Sequence, residues 1–117
     1  MKATEIIEKL TEGAFKPEIT CDTVKAGDSN KEVKRIALSM FATADVVRQA
    51  KEWGADMLIV HEPTYYDHMD VMIDTSVTRA KKKLIDESGI VIFRYHDCMH
   101  ARMVDQVTEG ELHYLGL

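Results

Sequence analysis

An unbroken run of apolar residues, Met57–Val60, lies between Gly54 and Pro63 and ends on two polar groups, His61 and Glu62. A short apolar run bounded in this way suits a strand buried on both faces better than it suits a helix. Pro63 cannot extend a central strand and disfavours helical backbone at the residue before it, so the chain must turn there. The pattern therefore leaves both polar side chains at the edge of a sheet, where open parallel sheets place their chemistry.

The chain before this run predicts a helix, two less regular segments and a strand. Residues 4–11 carry apolar positions at helical spacing and should form an amphipathic helix that stops near Gly13. Residues 19–24 suggest a short extended piece, and residues 25–30 have the composition of a loop. Residues 33–40 alternate and then become apolar, which predicts a strand.

Helix signals lie on both sides of the central strand. Thr43 is a predicted N-cap, and the helix that it opens should end before Gly54. A second helix is predicted from about Ser76, with Gly89 just past its end, and a third strand over residues 90–95 follows at once. The rest of the chain is expected to be partly helical around residues 103–107.

Strands that alternate with helices predict a parallel sheet with right-handed crossovers. We therefore expect an α/β fold, a three-layer sandwich around a largely parallel or mixed central sheet. Parallel strands place all their carboxyl ends at one edge, so Met40, His61 and His96 should approach one another although they are far apart in the chain.

Three imidazoles and a carboxylate, from His61, Glu62, His96 and His100, are candidates to meet at this edge. They form a ligand set suited to Zn²⁺, Fe²⁺, Mn²⁺ or Ni²⁺. The spacing from His96 to His100 would put both rings on one helical face, but Asp97 is itself a predicted N-cap, so His96 would precede the helix. The alternative is that His61 and His96 are merely polar residues where strands end.

Two further sets of residues rank lower as metal sites. Asp67, His68, Asp70 and Asp74 offer a second locus, although solvation of a polar loop explains them more simply. Cys98 offers a soft ligand, although a half-buried thiol is the more common outcome.

Composition sets the bounds on these hypotheses. A chain of 117 residues with 45% hydrophobic content fits a single domain, residues 1–117. The net charge of −5 argues against a general nucleic-acid binder, and two distant cysteines offer neither a redox motif nor a disulfide framework. The sequence has no signal peptide and no apolar run long enough to cross a bilayer, so we expect a cytoplasmic protein without a membrane partner.

Four stretches resemble the NIF-three-like dinuclear-metal-centre family, also described as type 2 GTP cyclohydrolase I homologues. Residues 55–63 resemble its G-A-D-L-I-I-x-H-H-P motif, and residues 22–28 resemble its D-N-V-G-L motif. Residues 42–47 resemble its D-A-T-x-x-V-V helix start, and residues 96–100 lie where the family has H-T-N-L-D. The match keeps order and spacing over nearly the whole chain.

The resemblance implies an α/β fold that assembles into a toroidal homohexamer and holds two metal ions. Carried over by position, it implies His61 as a ligand, Glu62 in place of a second histidine, and His100 in place of an aspartate. These replacements resemble a bacterial subgroup with H-E-P and H-D-x-x-H. Family members continue beyond the position of Leu117 and supply further ligands there, so we expect the N-terminal part of a longer protein, with an incomplete site of its own.

Two functions are then compatible with the sequence. The main hypothesis is a metal-dependent hydrolase of unknown small-molecule substrate, in which Glu62 transfers the proton if it is not a ligand. The alternative is a regulatory or scaffold protein that acts through homo-oligomer assembly, for which the apolar residues 112–117 are the candidate contact surface. A metal site with an open, water-bearing position favours the hydrolase.

Overall fold

One sheet of four strands forms the central layer. The computed structural model describes residues 1–117, with these elements in chain order: α1 (Ala3–Thr11), β1 (Val24–Ala26), β2 (Ile36–Ser39), α2 (Ala44–Trp53), β3 (Met57–Val60), α3 (Ser76–Ser88), β4 (Val91–Arg94), α4 (Asp97–His100) and α5 (Gln106–Leu115). The strand order is β1-β4-β3-β2, with β2, β3 and β4 parallel and β1 antiparallel to β4. The predicted α/β fold with a mixed, largely parallel sheet is confirmed.

The two central strands, β3 and β4, are buried on both faces, and two apolar clusters cover them. Leu58 of β3 packs in one cluster with Val47 of α2 and Ile85 of α3. Met57 of β3 packs in the other with Ile6 of α1. Because successive strand residues point to opposite faces, one continuous apolar run supplies both clusters, which gives the three predicted layers.

The predicted caps of α2 and α3 are present. The Thr43 hydroxyl accepts a hydrogen bond from the backbone N–H of Val46, and Gly54 ends α2 in the left-handed conformation. Gly89 ends α3 in the same way, and this helix begins at Ser76, as predicted, with Thr75 as its N-cap. None of the five helices combines the length and the apolarity that crossing a bilayer requires.

Two segments differ from their predictions. Lys25 and Ala26, expected in a loop, lie in β1, which pairs with β4. Three half-buried residues are too few to show an alternating pattern, so only the pairing with β4 reveals this strand. The C-terminal helix covers Gln106–Leu115 rather than residues 103–107, because the Asp105 carboxylate caps it by accepting from Val107 and Thr108.

Gly27, just after β1, lies against the backbone at the start of β4. It has φ +83°, and a Cβ there would stand 2.7 Å from the Ile90 carbonyl oxygen and 2.8 Å from the Val91 Cα. Both neighbours are backbone atoms that cannot rotate away. Gly27 therefore combines a left-handed conformation with a close approach, whereas Gly89 has a positive φ with open space around it.

We expect Gly27→Ala to lower the free energy of unfolding by clearly more than Gly89→Ala. Gly89→Ala should cost about 1–2 kcal/mol for the left-handed conformation alone, and Gly27→Ala should add the displacement of β1 from β4. Gly110→Ala, in the exposed part of α5, is the control and should be neutral or stabilising because alanine favours helix. Urea denaturation measures all three, and equal losses for Gly27→Ala and Gly89→Ala would contradict the close approach.

Candidate metal centre

Two imidazoles meet where the central parallel strands end. β3 and β4 pair in register, with Val60 opposite Arg94, so the residues that follow them leave the sheet at the same edge. The rings of His61 and His96 stack there with centroids 4.5 Å apart. The predicted meeting of the two strand ends is therefore present in the structure.

His100 brings a third imidazole from the end of α4. Its ring centroid lies 5.2 Å from that of His61 and 4.9 Å from that of His96. The Nε2 atoms of His100 and His61 are 3.4 Å apart, and one nitrogen from each of the three rings lies within 4.8 Å of the others. We call these three residues the imidazole group.

Each ring of the imidazole group has an oxygen acceptor at Nδ1. His61 Nδ1 lies 3.1 Å from the Tyr95 carbonyl oxygen, His96 Nδ1 lies 3.0 Å from Asp97 Oδ1, and His100 Nδ1 lies 2.6 Å from Asp105 Oδ2. These oxygens only accept, so we assign the proton of each neutral ring to Nδ1 and the lone pair to Nε2. Histidines that bind metals through Nε2 are oriented by this kind of contact.

The two carboxylates that orient these rings are held ionised. Burial opposes the charge on Asp97, but hydrogen bonds from Thr20, from His96 and from the backbone N–H of Cys21 bring its pKa well below the ordinary value. The hydrogen bond from His100 lowers the pKa of Asp105. Both carboxylates therefore remain acceptors for imidazole N–H groups at neutral pH.

Asp22 fixes the turn that carries His96. Its carboxylate accepts from the backbone N–H groups of His96, Asp97 and Cys98 at 2.7–2.8 Å. The predicted N-cap at Asp97 is wrong by one residue: His96 is the N-cap, and Asp97 is the first residue of α4. The expectation that His96 precedes the helix is confirmed, and Asp22 takes the role of satisfying the free N–H groups there.

A buried arginine ties the loop after His61 to the end of β4. Arg94 is fully buried, and its Nε donates to the His61 carbonyl oxygen at 2.9 Å. Its guanidinium also donates to the His68 carbonyl oxygen, which holds His68 with its ring centroid 5.1 Å from that of His96. Sequence reasoning missed Arg94, although an arginine at the end of an apolar strand is expected to have polar partners if it is buried.

His68 belongs to a second cluster of donors rather than to the polar loop set. One donor atom from each of Cys21, His68, His96 and Asp97 lies within 4.8 Å of the others, and we call these residues the thiol group. Other members of the predicted loop set are engaged elsewhere: the Asp70 carboxylate accepts from the backbone of Thr64 and Tyr65, and the Asp74 carboxylate pairs with Arg79.

Cys98 is buried and lies outside both groups. Sequence reasoning missed Cys21, because no metal-binding motif surrounds it in the sequence.

An apolar cleft flanks the imidazole group, and Glu62 follows His61 in the chain. The half-buried Glu62 carboxylate is a member of neither donor group. A cleft of about 330 Å³ opens beside His61, lined mainly by apolar side chains that include Leu38, Ile59 and Met99. A polar cluster beside an apolar cleft is the usual character of a small-molecule site.

These features define an α/β protein with a cluster of histidine donors at the carboxyl edge of parallel strands. The sequence matches the family Duf34/NIF3 (NGG1p interacting factor 3) over residues 1–114, so the chain belongs to that family. The resemblance drawn from four sequence stretches is confirmed.

Curated relatives and solved structures agree with this assignment. A GTP cyclohydrolase 1 type 2 homolog of Methanocaldococcus jannaschii is 31% identical over 102 residues, which are 82% of this chain and 40% of the relative. Reduced HcgD of the same organism superimposes with a TM-score of 0.68 and 29% identity, over 85% of this chain and 41% of that one. A Bacillus cereus protein related to NIF3 gives a TM-score of 0.72 at 23% identity, over 100% of this chain and 33% of its own. The chain thus spans less than half the length of each.

We expect Asp22→Ala to lower the free energy of unfolding by about 2–4 kcal/mol, because three backbone N–H groups lose a charged acceptor. The same change should move the His96 ring, which histidine ring signals in NMR spectra will detect. Asp28→Ala is the control, since that exposed carboxylate accepts only from the N–H of Asn30. Similar losses of stability in the two variants would contradict the role given to Asp22.

Proposed function

We propose that this protein binds a divalent metal ion at His61, His96 and His100 and acts as a metal-dependent hydrolase. One observation carries the proposal: three imidazoles converge, and each has its Nδ1 paired with an oxygen acceptor. Such a donor set suits Zn²⁺, Fe²⁺, Mn²⁺ or Ni²⁺. Three protein donors are enough for one catalytic ion, whereas the dinuclear centre implied by the family resemblance needs further donors.

An ion held by His61, His96 and His100 would keep a position for water and would supply a nucleophile at neutral pH. The residues of this chain do the remaining work. Asp97 and Asp105 orient two of the imidazoles, and the backbone carbonyl of Tyr95 orients the third. Glu62, at the end of the same strand as His61, is the proposed general base, with direct ligation as its alternative role.

The cleft beside His61 supports a small-molecule substrate, part of which is apolar. Apolar side chains line most of that cleft, so the substrate's reacting group would face the imidazoles while its apolar part is buried. Relatives are described as GTP cyclohydrolase 1 type 2 homologs, which makes GTP and other nucleotides the first compounds to test. The free, buried thiols of Cys21 and Cys98 suit the reducing cytoplasm, where we propose that the protein acts.

We expect His61→Ala to reduce the affinity for Zn²⁺ or Mn²⁺ at least about tenfold. Replacing a residue that only hydrogen-bonds to a metal ligand already costs about that much, and His61 is a proposed ligand itself. Calorimetric titration of the whole chain measures the change. His113→Ala, which removes an exposed imidazole on α5 outside both donor groups, is the matched control and should leave the affinity unchanged. Because Mn²⁺ binds thiolates poorly, tight Mn²⁺ binding that survives His61→Ala would place this metal outside the imidazole group.

The same titration on Glu62→Gln separates the two roles proposed for that residue. An unchanged affinity excludes Glu62 as a ligand and leaves the role of base to be tested by turnover, and a tenfold or greater loss assigns it as a ligand. Hydrolysis is then tested with the metal-loaded chain against nucleotides that include GTP. Turnover that needs the metal and falls in Glu62→Gln supports the hydrolase, while no turnover on any compound favours the alternative that follows.

The alternative function is assembly of a regulatory or scaffold protein, and exposed apolar surface is the observation that favours it. Leu112, Tyr114, Leu115 and Leu117 are all exposed at the end of the chain, on and after α5. Leu38 of the edge strand β2 is also exposed. We propose that a second copy of the chain covers the α5 surface, and that a homo-oligomer forms, with the hexamer implied by the family resemblance as its fullest form.

We expect light scattering at tens of micromolar to return a dimer or a larger homo-oligomer. Leu115→Asp should shift the population towards the monomer, because a charge replaces exposed apolar surface of α5. Glu109→Gln, an exposed change on the same helix, is the control. A strict monomer for the unmodified chain would contradict the assembly proposal without affecting the metal proposal.

A further inference from the structure

We propose that Cys21, His68, His96 and Asp97 form a second metal site, selective for an ion that accepts a thiolate, such as Zn²⁺. The four donors come from three separate parts of the chain, and one atom of each lies within 4.8 Å of the others. The proposal goes beyond the imidazole group because it brings in two ligands, Cys21 and His68, that have no part there. A donor set of one thiolate, two imidazoles and one carboxylate suits Zn²⁺.

Distances around the Asp97 carboxylate are already close to those of a tetrahedral site. Asp97 Oδ1 lies 3.0 Å from His96 Nδ1 and 3.9 Å from His68 Nε2. Ligand bonds of about 2.0–2.3 Å at tetrahedral angles separate neighbouring donors by about 3.3–3.8 Å. Adjustments of a few tenths of an ångström at these two contacts are therefore enough to accommodate an ion.

The surroundings divide the thiol group into fixed and adjustable donors. Cys21 is 1% exposed, and its backbone N–H donates to the Asp97 carboxylate, so these two ligands are held against each other. The His68 side chain is 59% exposed, its backbone carbonyl accepts from Arg94, and its ring Nδ1 lies 3.5 Å from the same guanidinium. His68 can therefore close the site by rotating its ring onto two preorganised donors.

Charge favours an ion here on balance. A metal ion bound here would displace the proton of the buried Cys21 thiol. The nearby Arg94 guanidinium favours the thiolate form. With Cys21 and Asp97 both anionic, two negative donors outweigh the single positive charge of Arg94.

His96 is common to both donor groups, so the two sites are not independent. A neutral imidazole offers one lone pair, and Nδ1 becomes a donor to the thiol group only when its proton leaves. Ions at both sites at once would require the His96 ring to bridge them as an imidazolate. The experiment must therefore detect the thiolate itself rather than count ions.

Titration of the whole chain with Co²⁺ provides that signature, because a thiolate bound to Co²⁺ gives a charge-transfer band in the near ultraviolet. We expect the band in the unmodified chain and in Cys98→Ser, whose buried thiol lies outside both groups. Cys21→Ser should abolish it. A wild-type chain without the band, or a band lost in Cys98→Ser and kept in Cys21→Ser, overturns the proposal.

Two further variants make the result independent of folding defects and of the imidazole group. His68→Ala changes an exposed side chain, should leave the circular dichroism spectrum intact, and should weaken the band-forming affinity for Co²⁺ at least about tenfold. An unchanged affinity in His68→Ala overturns the proposal even if Cys21→Ser fails to fold. His61→Ala should keep the band. Loss of metal from the imidazole group, while the thiolate band remains, would show that the two sites are separate.

Discussion

The in-register parallel pairing of β3 and β4 is the constraint on which the remaining structure depends. It aligns Val60 with Arg94, so that His61 and His96 leave the sheet side by side and the Arg94 guanidinium reaches the His61 carbonyl. A shift of one residue would exchange the two faces of the strand and separate the two imidazoles. The apolar clusters above and below the strands fix this register, so the burial that stabilises the fold also positions the donors.

Much of the fold follows from local signals because these agree with the tertiary structure. The run Met57–Val60 is apolar throughout since both of its faces are covered, and Thr43 and Gly54 mark the ends of α2 by their own conformational preferences. β1 was not predictable in the same way. Its three residues are half-buried at an edge, and their extended conformation depends on β4, more than sixty residues further along the chain.

The residues of the candidate site were likewise predictable only in part. His61, His96 and His100 were predictable because the carboxyl ends of parallel strands must converge and because two of these residues follow recognisable strands. Cys21, Asp22 and His68 lie in irregular segments, whose placement depends on hydrogen bonds to α4 and to Arg94. Asp22 fell within a stretch that resembled a family motif, but nothing in that motif indicated a carboxylate that accepts three N–H groups. No periodic pattern encodes such contacts, so sequence reasoning gave the imidazole group and missed the thiol group.

The burial of Arg94 has a consequence for how the loop over the strand ends behaves. Lifting the segment between His61 and His68 away from the sheet would leave a positive charge without its carbonyl acceptors in a region closed to water. That penalty couples an irregular segment to the unfolding of the whole sheet rather than allowing it to open alone. The hydrogen-bonded backbone amides of Thr64 and Tyr65 would then exchange with solvent as slowly as those of a strand, although they lie in no regular secondary structure.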